Sequence, residues 1–399
     1  MIRRTFMLTL VVSWLGVSVG MAQTAPSETV STGSIGLRTG FDANPTDTLG
    51  ARGSPFVTQT ISYDYLRGSL QEGIGLKLRV VDTQYDPNVA APSTAVLAAA
   101  TMAFLLAPKL ALRTTLTTSV DDNWARRSHS AQLRNRIEYD TTEFRLFTNL
   151  DTTISALNER NIFVESGFLP TDENFFTTAM MPGFAFKFAA GEIGASVALS
   201  RVAYLAPDIL GQDRSHNILQ PNAFLTAKVS GVEIEGSLSP YLATYDTPDF
   251  DTVRELLYTA KVRYPTGPWA FGLGSSRTIQ DTTLPFASLV TALAHEASVS
   301  YKFDDQNALS LLARYRRDDY LGADLWSTTF LTGIDYAHDF GDGYIGTAGM
   351  SVRQVKRPDQ VQPWALNMQI GIQKKLDFGD APKPAPPDKA VESKRASLQ

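Results

Sequence analysis

The sequence predicts an all-β fold: a single antiparallel transmembrane β-barrel of about 18 strands. Segments with alternating apolar and polar residues run for about 9–15 residues, whereas strands of soluble proteins average about 5–6. From about Thr32 to Phe378 these segments are joined alternately by short turns and long polar loops. Aromatic residues recur beside the short turns, as at Tyr264 and Trp269. These are features of an outer-membrane barrel, and their lengths disfavour a soluble sandwich.

The N-terminus is typical of a secretory signal peptide. Arg3 and Arg4 supply the positive charge, 6–19 forms the apolar core, and small residues precede a predicted cleavage after Ala22. The apolar run is shorter than the ~20 residues of a membrane helix. We therefore expect 1–22 to be removed, followed by a short periplasmic segment, 23–31.

The composition excludes several classes of protein. The 399 residues contain no cysteine, which excludes disulfides, a lipoprotein anchor and thiolate metal sites. The net charge of −5 disfavours nucleic acid as a partner. The mean hydropathy of −0.10 disfavours a helical membrane protein but suits a barrel, in which only alternate strand residues face lipid.

Eighteen strands are predicted from the alternation. In one of them Leu112, Leu116 and Val120 face lipid, while Arg113 and Ser119 face the lumen, because successive strand residues point to opposite faces. The predicted strands are 32–42, 56–67, 71–85, 94–106, 109–120, 127–139, 142–154, 182–190, 192–204, 221–229, 232–245, 253–264, 268–278, 290–303, 307–319, 325–338, 343–355 and 364–378.

Segment 94–106 is the one ambiguous element. Its run of alanines lacks alternation and could begin a helix after Ser93 or Thr94. A helix here would leave seventeen strands, whereas bacterial single-chain barrels normally have an even number. We therefore predict a strand, with eighteen strands in all and sixteen as the alternative.

The predicted topology places both termini in the periplasm. The barrel spans 32–378, and loops 155–181 and 205–220 are expected at the cell surface. The last strand ends on Phe378 and resembles the strand read by the barrel-assembly machinery. The Pro-rich segment 379–399 is predicted to be a disordered periplasmic tail. Lipid and lipopolysaccharide of the outer membrane are the other expected partners.

Eighteen strands enclose a water-filled lumen unless something plugs it. Strand parity places more basic than acidic side chains on the predicted inner wall. A basic wall favours anions; alternatively, the charges merely pair with neighbouring acids. The predicted lumen-lining basic residues are Arg38, Lys77, Arg79, Arg113, Arg134, Arg136, Arg145, Lys261, Arg263, Arg314, Arg316 and Arg353.

Loop 155–181 is the predicted constriction. A loop exposed only to water has no need of so many apolar side chains, so we expect it to fold into the lumen or over its mouth. The candidate constriction residues are Phe163, Glu165, Phe168, Phe175 and Phe176.

No enzymatic or metal site is predicted. The chain has four histidines, and neither His295–Glu296 nor His338–Asp339 can act together, since neighbours on a strand face opposite ways. The acidic loop 246–251 matches no calcium-binding spacing. We expect no cofactor.

The opening strand carries a family resemblance. It runs from Ile35 into Phe41-Asp42-Ala43-Asn44, which resembles the aromatic–Asp–x–Asn turn of putative β-barrel porin families that accompany exopolysaccharide synthesis. Members commonly have Tyr and a second Asp where this chain has Phe41 and Ala43. The resemblance implies an exopolysaccharide-export channel working with a periplasmic polysaccharide-export protein. A diffusion porin with weak anion preference, and an outer-membrane enzyme or closed structural barrel, remain as alternatives.

Overall fold

The predicted closed barrel is confirmed by a computed structural model, which describes residues 29–69, 72–159, 172–284, 287–358 and 360–378. All the strands belong to one antiparallel sheet in which β1 pairs with both β2 and the last strand. The predicted signal peptide and the predicted tail lie outside the described residues. Within the described ranges no helix is long and apolar enough to cross a membrane.

Eighteen long strands form the barrel, and a two-residue strand, β18, pairs only with β17 in the last loop. The strands are β1 Thr29–Asp42, β2 Ser54–Gly68, β3 Gly73–Tyr85, β4 Ser93–Ala107, β5 Leu110–Asp122, β6 Arg127–Asp140, β7 Phe144–Asn158, β8 Glu173–Phe188, β9 Gly191–Tyr204, β10 His216–Val229, β11 Val232–Tyr245, β12 Val253–Thr266, β13 Trp269–Gln280, β14 Val290–Lys302, β15 Asn307–Tyr320, β16 Leu325–Gly341, β17 Tyr344–Arg357, β18 Gln360–Val361 and β19 Ala365–Asp377.

The prediction for loop 155–181 was wrong in its bounds. β7 continues to Asn158 and β8 begins at Glu173, so the loop is 159–172. Phe175 and Phe176 therefore belong to β8, where Phe175 pairs with Ser155. The backbone ladder extends past the lipid-facing part of the barrel, where side chains no longer need to alternate in hydrophobicity. β10 likewise begins at His216, inside the predicted loop 205–220.

The ambiguous segment is a strand, as predicted. β4 pairs with β3 along one edge and with β5 along the other. Its alternation is hidden because the inner face also carries small apolar residues, including Ala95, Ala99 and Ala103. Ladder hydrogen bonds to both neighbours therefore fix a segment whose side chains alone are ambiguous.

The outer surface has the height and composition of a lipid-contacting band. Rows of large apolar side chains are exposed on it, such as Leu146, Leu150 and Ile154 on β7. On β16 the outward row runs from Trp326 to Tyr336. Ten residues at about 3.3 Å each, on a strand tilted by about 40°, rise about 25 Å, the height expected of the apolar band.

The two rims of the barrel differ. One, the short-turn rim, holds the tight turns and both ends of the described chain. Ser230-Gly231 and Asp342-Gly343 are two-residue turns in which both residues have positive φ, as a type I′ hairpin requires. Aromatic contacts such as Trp269–Tyr301, with ring centroids 4.4 Å apart, form a collar there. The opposite, long-loop rim holds the longer connections.

Candidate functional site: the lumen and its long-loop mouth

Four of the predicted arginines lie together on the inner face of β5–β7. Arg113 stands opposite Arg136, and Arg134 lies two residues away on the same face of β6. Arg145 is on β7 near the short-turn rim. With neighbouring polar residues these side chains line a cavity of about 520 Å³. We call Arg113, Arg134, Arg136 and Arg145 the arginine wall.

Carboxylates accompany the arginine wall. Asp151 lies 2.7 Å from Arg134 and Glu192 lies 2.5 Å from Arg145, nitrogen to oxygen. Glu138 lies 2.6 Å from Arg136. Cross-strand pairing puts Asp151 and Glu192 on the inner face beside these arginines. The positive charge is therefore partly compensated where it is densest.

The other predicted basic residues are spread around the wall. Within the described ranges, Arg38, Arg79 and Lys261 have no carboxylate within 4 Å. The remaining ones form ion pairs, with these nitrogen–oxygen distances: Lys77–Asp64 3.9 Å, Arg263–Glu233 3.7 Å, Arg314–Glu296 2.5 Å, Arg316–Asp318 2.8 Å and Arg353–Asp47 2.8 Å.

The inner face of β13 carries only small residues along part of its length. Gly272, Gly274 and Ser276 succeed one another there, and Ser298, Glu296 and Ala294 of β14 stand opposite them. With charged residues of β11, β12 and β15 they line a cavity of about 630 Å³. The lumen thus keeps open space beside this wall.

The long-loop mouth is entered by segment 281–289, described at 281–284 and 287–289. Thr282, Thr283 and Ala287 are 0% exposed, and Leu284 is 2% exposed. A connection this buried must satisfy its backbone groups within the protein. Its partners come from other loops and from strand ends.

Arg214 provides the main attachment. Its guanidinium donates to the carbonyl oxygens of Leu284 at 3.0 Å, Ala287 at 2.5 Å and Ser288 at 3.2 Å. Arg214 itself is 1% exposed and lies in the β9–β10 loop. Five N–H donors in a fixed planar fork allow one side chain to hold three carbonyl groups.

Glu159 attaches the segment to the end of β7. One of its carboxylate oxygens accepts from the Thr282 hydroxyl at 2.5 Å and from the Thr283 amide at 2.9 Å. From β9, the Tyr204 hydroxyl donates to Asp281 at 2.9 Å. We call segment 281–289 with Arg214 and Glu159 the mouth clasp.

The mouth clasp joins parts of the barrel that are far apart around the wall. β7 and β13 are six strands apart in the sheet, which is about 29 Å along the wall at about 4.8 Å per strand. Glu159, at the end of β7, nevertheless hydrogen-bonds to Thr283, just beyond β13. The contact requires the loops to meet across the mouth.

Apolar and aromatic side chains at the strand ends support the mouth clasp. Leu289 is buried with Tyr241, Tyr245 and Val253. A neighbouring cluster packs Leu284 and Val290 against Tyr320 of β15. These inward-facing clusters lie at the long-loop rim, where the strands extend past the lipid-facing band.

Several buried polar atoms around Arg214 have no hydrogen-bond partner among the described residues. They include both carboxylate oxygens of Glu173, one of Asp208, and Nε of Arg214. Glu173 and Asp208 compensate the arginine only at 3.7 and 4.0 Å. Unsatisfied buried charge is costly, so we expect the mouth clasp to open more readily than the strand ladders.

Of the predicted constriction residues, the structure describes Phe175 and Phe176, which lie on opposite faces of β8. Phe163, Glu165 and Phe168 lie outside the described residues. Phe175 is on the inner face of β8 with its ring 5.1 Å from Tyr204, whereas the parity of β8 puts Phe176 on the outer face. Phe175 and Phe176 are strand residues and not loop residues because β8 already begins at Glu173.

The sequence contained a signal for the segment that was missed. Leu284, Ala287 and Leu289 are apolar residues in a connection that the alternation of short turns and long loops predicts to be a long loop. Apolar residues in a long loop were also the reason for selecting loop 155–181. The role of Arg214 had no such signal, because its partners are carbonyl groups about 70 residues away.

The Phe41-Asp42-Ala43-Asn44 turn has a structural role. Asp42 accepts from the Asn44 amide at 2.9 Å, and the Asn44 side chain donates to the Thr48 carbonyl at 3.0 Å. Arg353 of β17 donates to the Asn44 carbonyl at 2.8 Å and pairs with Asp47. Burial raises the pKa of Asp47, opposed by the charge of Arg353. The turn thus holds the first loop in place next to the paired strands β1 and β19, which close the barrel.

The histidines form no catalytic arrangement in the described part of the chain. Ser275 and His295 are 3.0 Å apart, but cross-strand pairing puts both on the outer face, on adjacent strands within the apolar band. No group of three or more His, Asp or Glu side chains suited to a metal ion occurs in the described ranges.

Comparison with known proteins gives a fold likeness. No family profile and no curated protein matches the sequence. Among solved structures, the chain is similar to Pseudomonas aeruginosa OpdQ, with 13% identity over 87% of this chain and 98% of that chain and a TM-score of 0.46. It is also similar to Acinetobacter baumannii OccAB3 (10% identity, 87% and 99% coverage, TM-score 0.44) and to the copper transporter OprC (8%, 89% and 81%, 0.49). Likenesses this distant carry no functional argument.

Proposed function

We propose that this protein is an outer-membrane channel for the diffusion of small solutes, with a weak preference for anions. The mouth clasp carries the proposal. An 18-strand barrel is too wide for wall side chains to fill, and here a loop fixed from inside by Arg214 narrows its mouth. A narrowed, water-lined passage suits solutes of limited size.

The anion preference is argued from the arginine wall. Guanidinium groups keep their charge at any relevant pH, and the side chains of Arg136 and Arg145 are only 21% and 23% exposed. Their carboxylate partners reduce the field without removing it, so the preference is weak. Planar-bilayer recording in a salt gradient tests it: a reversal potential on the anion side is expected, and a cation-side value or no conductance would refute the proposal.

The polysaccharide-export prediction has no observation in its favour. It rested on the Phe41–Asn44 turn, for which the structure supplies a local hydrogen-bonding role. Diffusion of small solutes accounts better for a mouth narrowed by a fixed loop.

The orientation belongs to the same proposal. In outer-membrane barrels the short turns are periplasmic, so the short-turn rim and both chain ends are assigned to the periplasm. Leu210 is 52% exposed in a long-loop connection, and Asp305 is exposed in a short turn. A cysteine at Leu210 should react with an impermeant maleimide on intact cells, and one at Asp305 should not. Reversed labelling would overturn the assignment.

A further inference from the structure

One aromatic side chain stands inside the arginine wall. Phe147 of β7 lies on the inner face, directly opposite Glu138 and Gly183. It is 7% exposed, which is unusual for a wall residue of a water-filled lumen. Its burial comes from two neighbours, the strand backbone beneath it and arginine side chains above it.

The ring has a seat of small residues on β8 and β9. A Cβ added at Gly183 would lie 2.4 Å from Cζ of Phe147 and 2.8 Å from Cβ of Ser196. The ring therefore occupies the space that a larger residue at 183 would need. Phe224 lies over Gly194 in the same manner, and the two ring centroids are 6.3 Å apart.

Two guanidinium groups lie against Phe147. The Cζ atom of Arg136 is 4.5 Å from the ring centroid, and that of Arg145 is 5.7 Å away. Each arginine also holds a carboxylate, Glu138 or Glu192 respectively. A ring face attracts a guanidinium and keeps water from one side of it.

We propose that Phe147, seated over Gly183, positions Arg136 and Arg145 and thereby sets the anion preference of the channel. The ring holds both guanidinium groups close to the wall and partly dehydrated, so their charge is less screened for a passing oxyanion. Without the ring, the guanidinium groups gain water and the bias toward anions falls. This inference rests on the proposed function and names the residue that tunes it.

The test compares the anion-to-cation permeability ratio of four variants in planar bilayers, after folding has been checked by heat-modifiable migration in SDS gels. Phe147→Leu should lower the ratio about two- to fivefold, the factor that corresponds to a cation–π contact of about 0.5–1 kcal/mol. Phe147→Tyr should retain it. Gly183→Ala should push the ring off its seat, lowering both the ratio and the conductance. Phe184→Leu, on the lipid-facing side of β8, is the matched control.

The outcomes separate this inference from the proposed function. If the unmodified protein conducts with anion preference and Phe147→Leu leaves the ratio unchanged, the positioning role is refuted while the channel stands. A change in conductance with no change in ratio would mean that Phe147 only fills space, which also refutes the role. If the unmodified protein does not conduct, the proposed function itself fails.

Discussion

The two rims of the barrel are built by different kinds of interaction. At the short-turn rim, residues close in sequence determine the structure: Asp342-Gly343 turns the chain between β16 and β17 through positive φ angles. At the long-loop rim, Arg214 and Glu159 hold a segment that is distant in sequence and lies across the mouth. We expect the short-turn rim to be rigid and to leave the passage of solutes unrestricted. We expect the long-loop rim to be less stable and to limit the passage of solutes.

The largest expected effect comes from deleting most of segment 281–289, which lies across the mouth. Replacing 282–288 by two glycines should raise the single-channel conductance several-fold, because the segment that enters the mouth is gone. The barrel should still fold, since the ladders of β13 with β12 and of β14 with β15 lie outside the deletion. An unchanged conductance would mean that the mouth clasp does not limit flow.

A smaller effect is expected from loosening the mouth clasp. Arg214→Ala removes three hydrogen bonds and leaves Glu173 and Asp208 as buried carboxylates near an empty space. Breaking a buried ion pair costs about 3–5 kcal/mol, which should open the loops rather than unfold the barrel. Recordings should show frequent transitions to a larger conductance. Arg254→Ala, an exposed residue on the outer face at the same rim, should show none.

The difference between the rims also explains what the sequence could and could not predict. Strand number, parity and the short turns follow from local alternation and turn residues, so even β4 was assigned correctly. The end of β7 and the start of β8 were missed because ladder bonds there hold residues without alternation. The arginine wall could be listed from parity, but which carboxylate pairs with which arginine depends on the register of neighbouring strands. The mouth clasp depends on loop contacts that no local pattern encodes.

The arginine wall should affect the anion selectivity of the channel but not the width of the passage. Arg136→Gln with Arg145→Gln removes two charges near the short-turn rim, and the reversal potential in a salt gradient should shift toward cations by several millivolts. The single-channel conductance should change little. Arg314→Gln with Arg316→Gln, on β15 across the lumen from the arginine wall, is the control with the same change of two charges; these arginines pair with Glu296 and Asp318. An equal shift in the control would mean that net lumen charge, not this cluster, sets the preference.

The smallest expected effect compares one glycine from each rim. Gly343 and Gly211 both have φ of +79°, but a Cβ at Gly343 would lie 2.7 Å from the Lys375 carbonyl oxygen, and one at Gly211 would meet nothing within 4 Å. Gly343→Ala should lower the free energy of unfolding in urea by about 1–3 kcal/mol. Gly211→Ala should cost less, about 1 kcal/mol. Equal losses would contradict the view that the short-turn rim is the tightly determined one.

The size limit of the channel tests the central proposal most directly. Liposome swelling measures the entry of neutral sugars of increasing size through the purified protein and through the 282–288 deletion. Monosaccharides should enter through the unmodified protein, longer oligosaccharides should be excluded, and the deletion should admit them. Free passage of long oligosaccharides through the unmodified protein, with no gain on deletion, would contradict a small-solute channel limited by its mouth clasp.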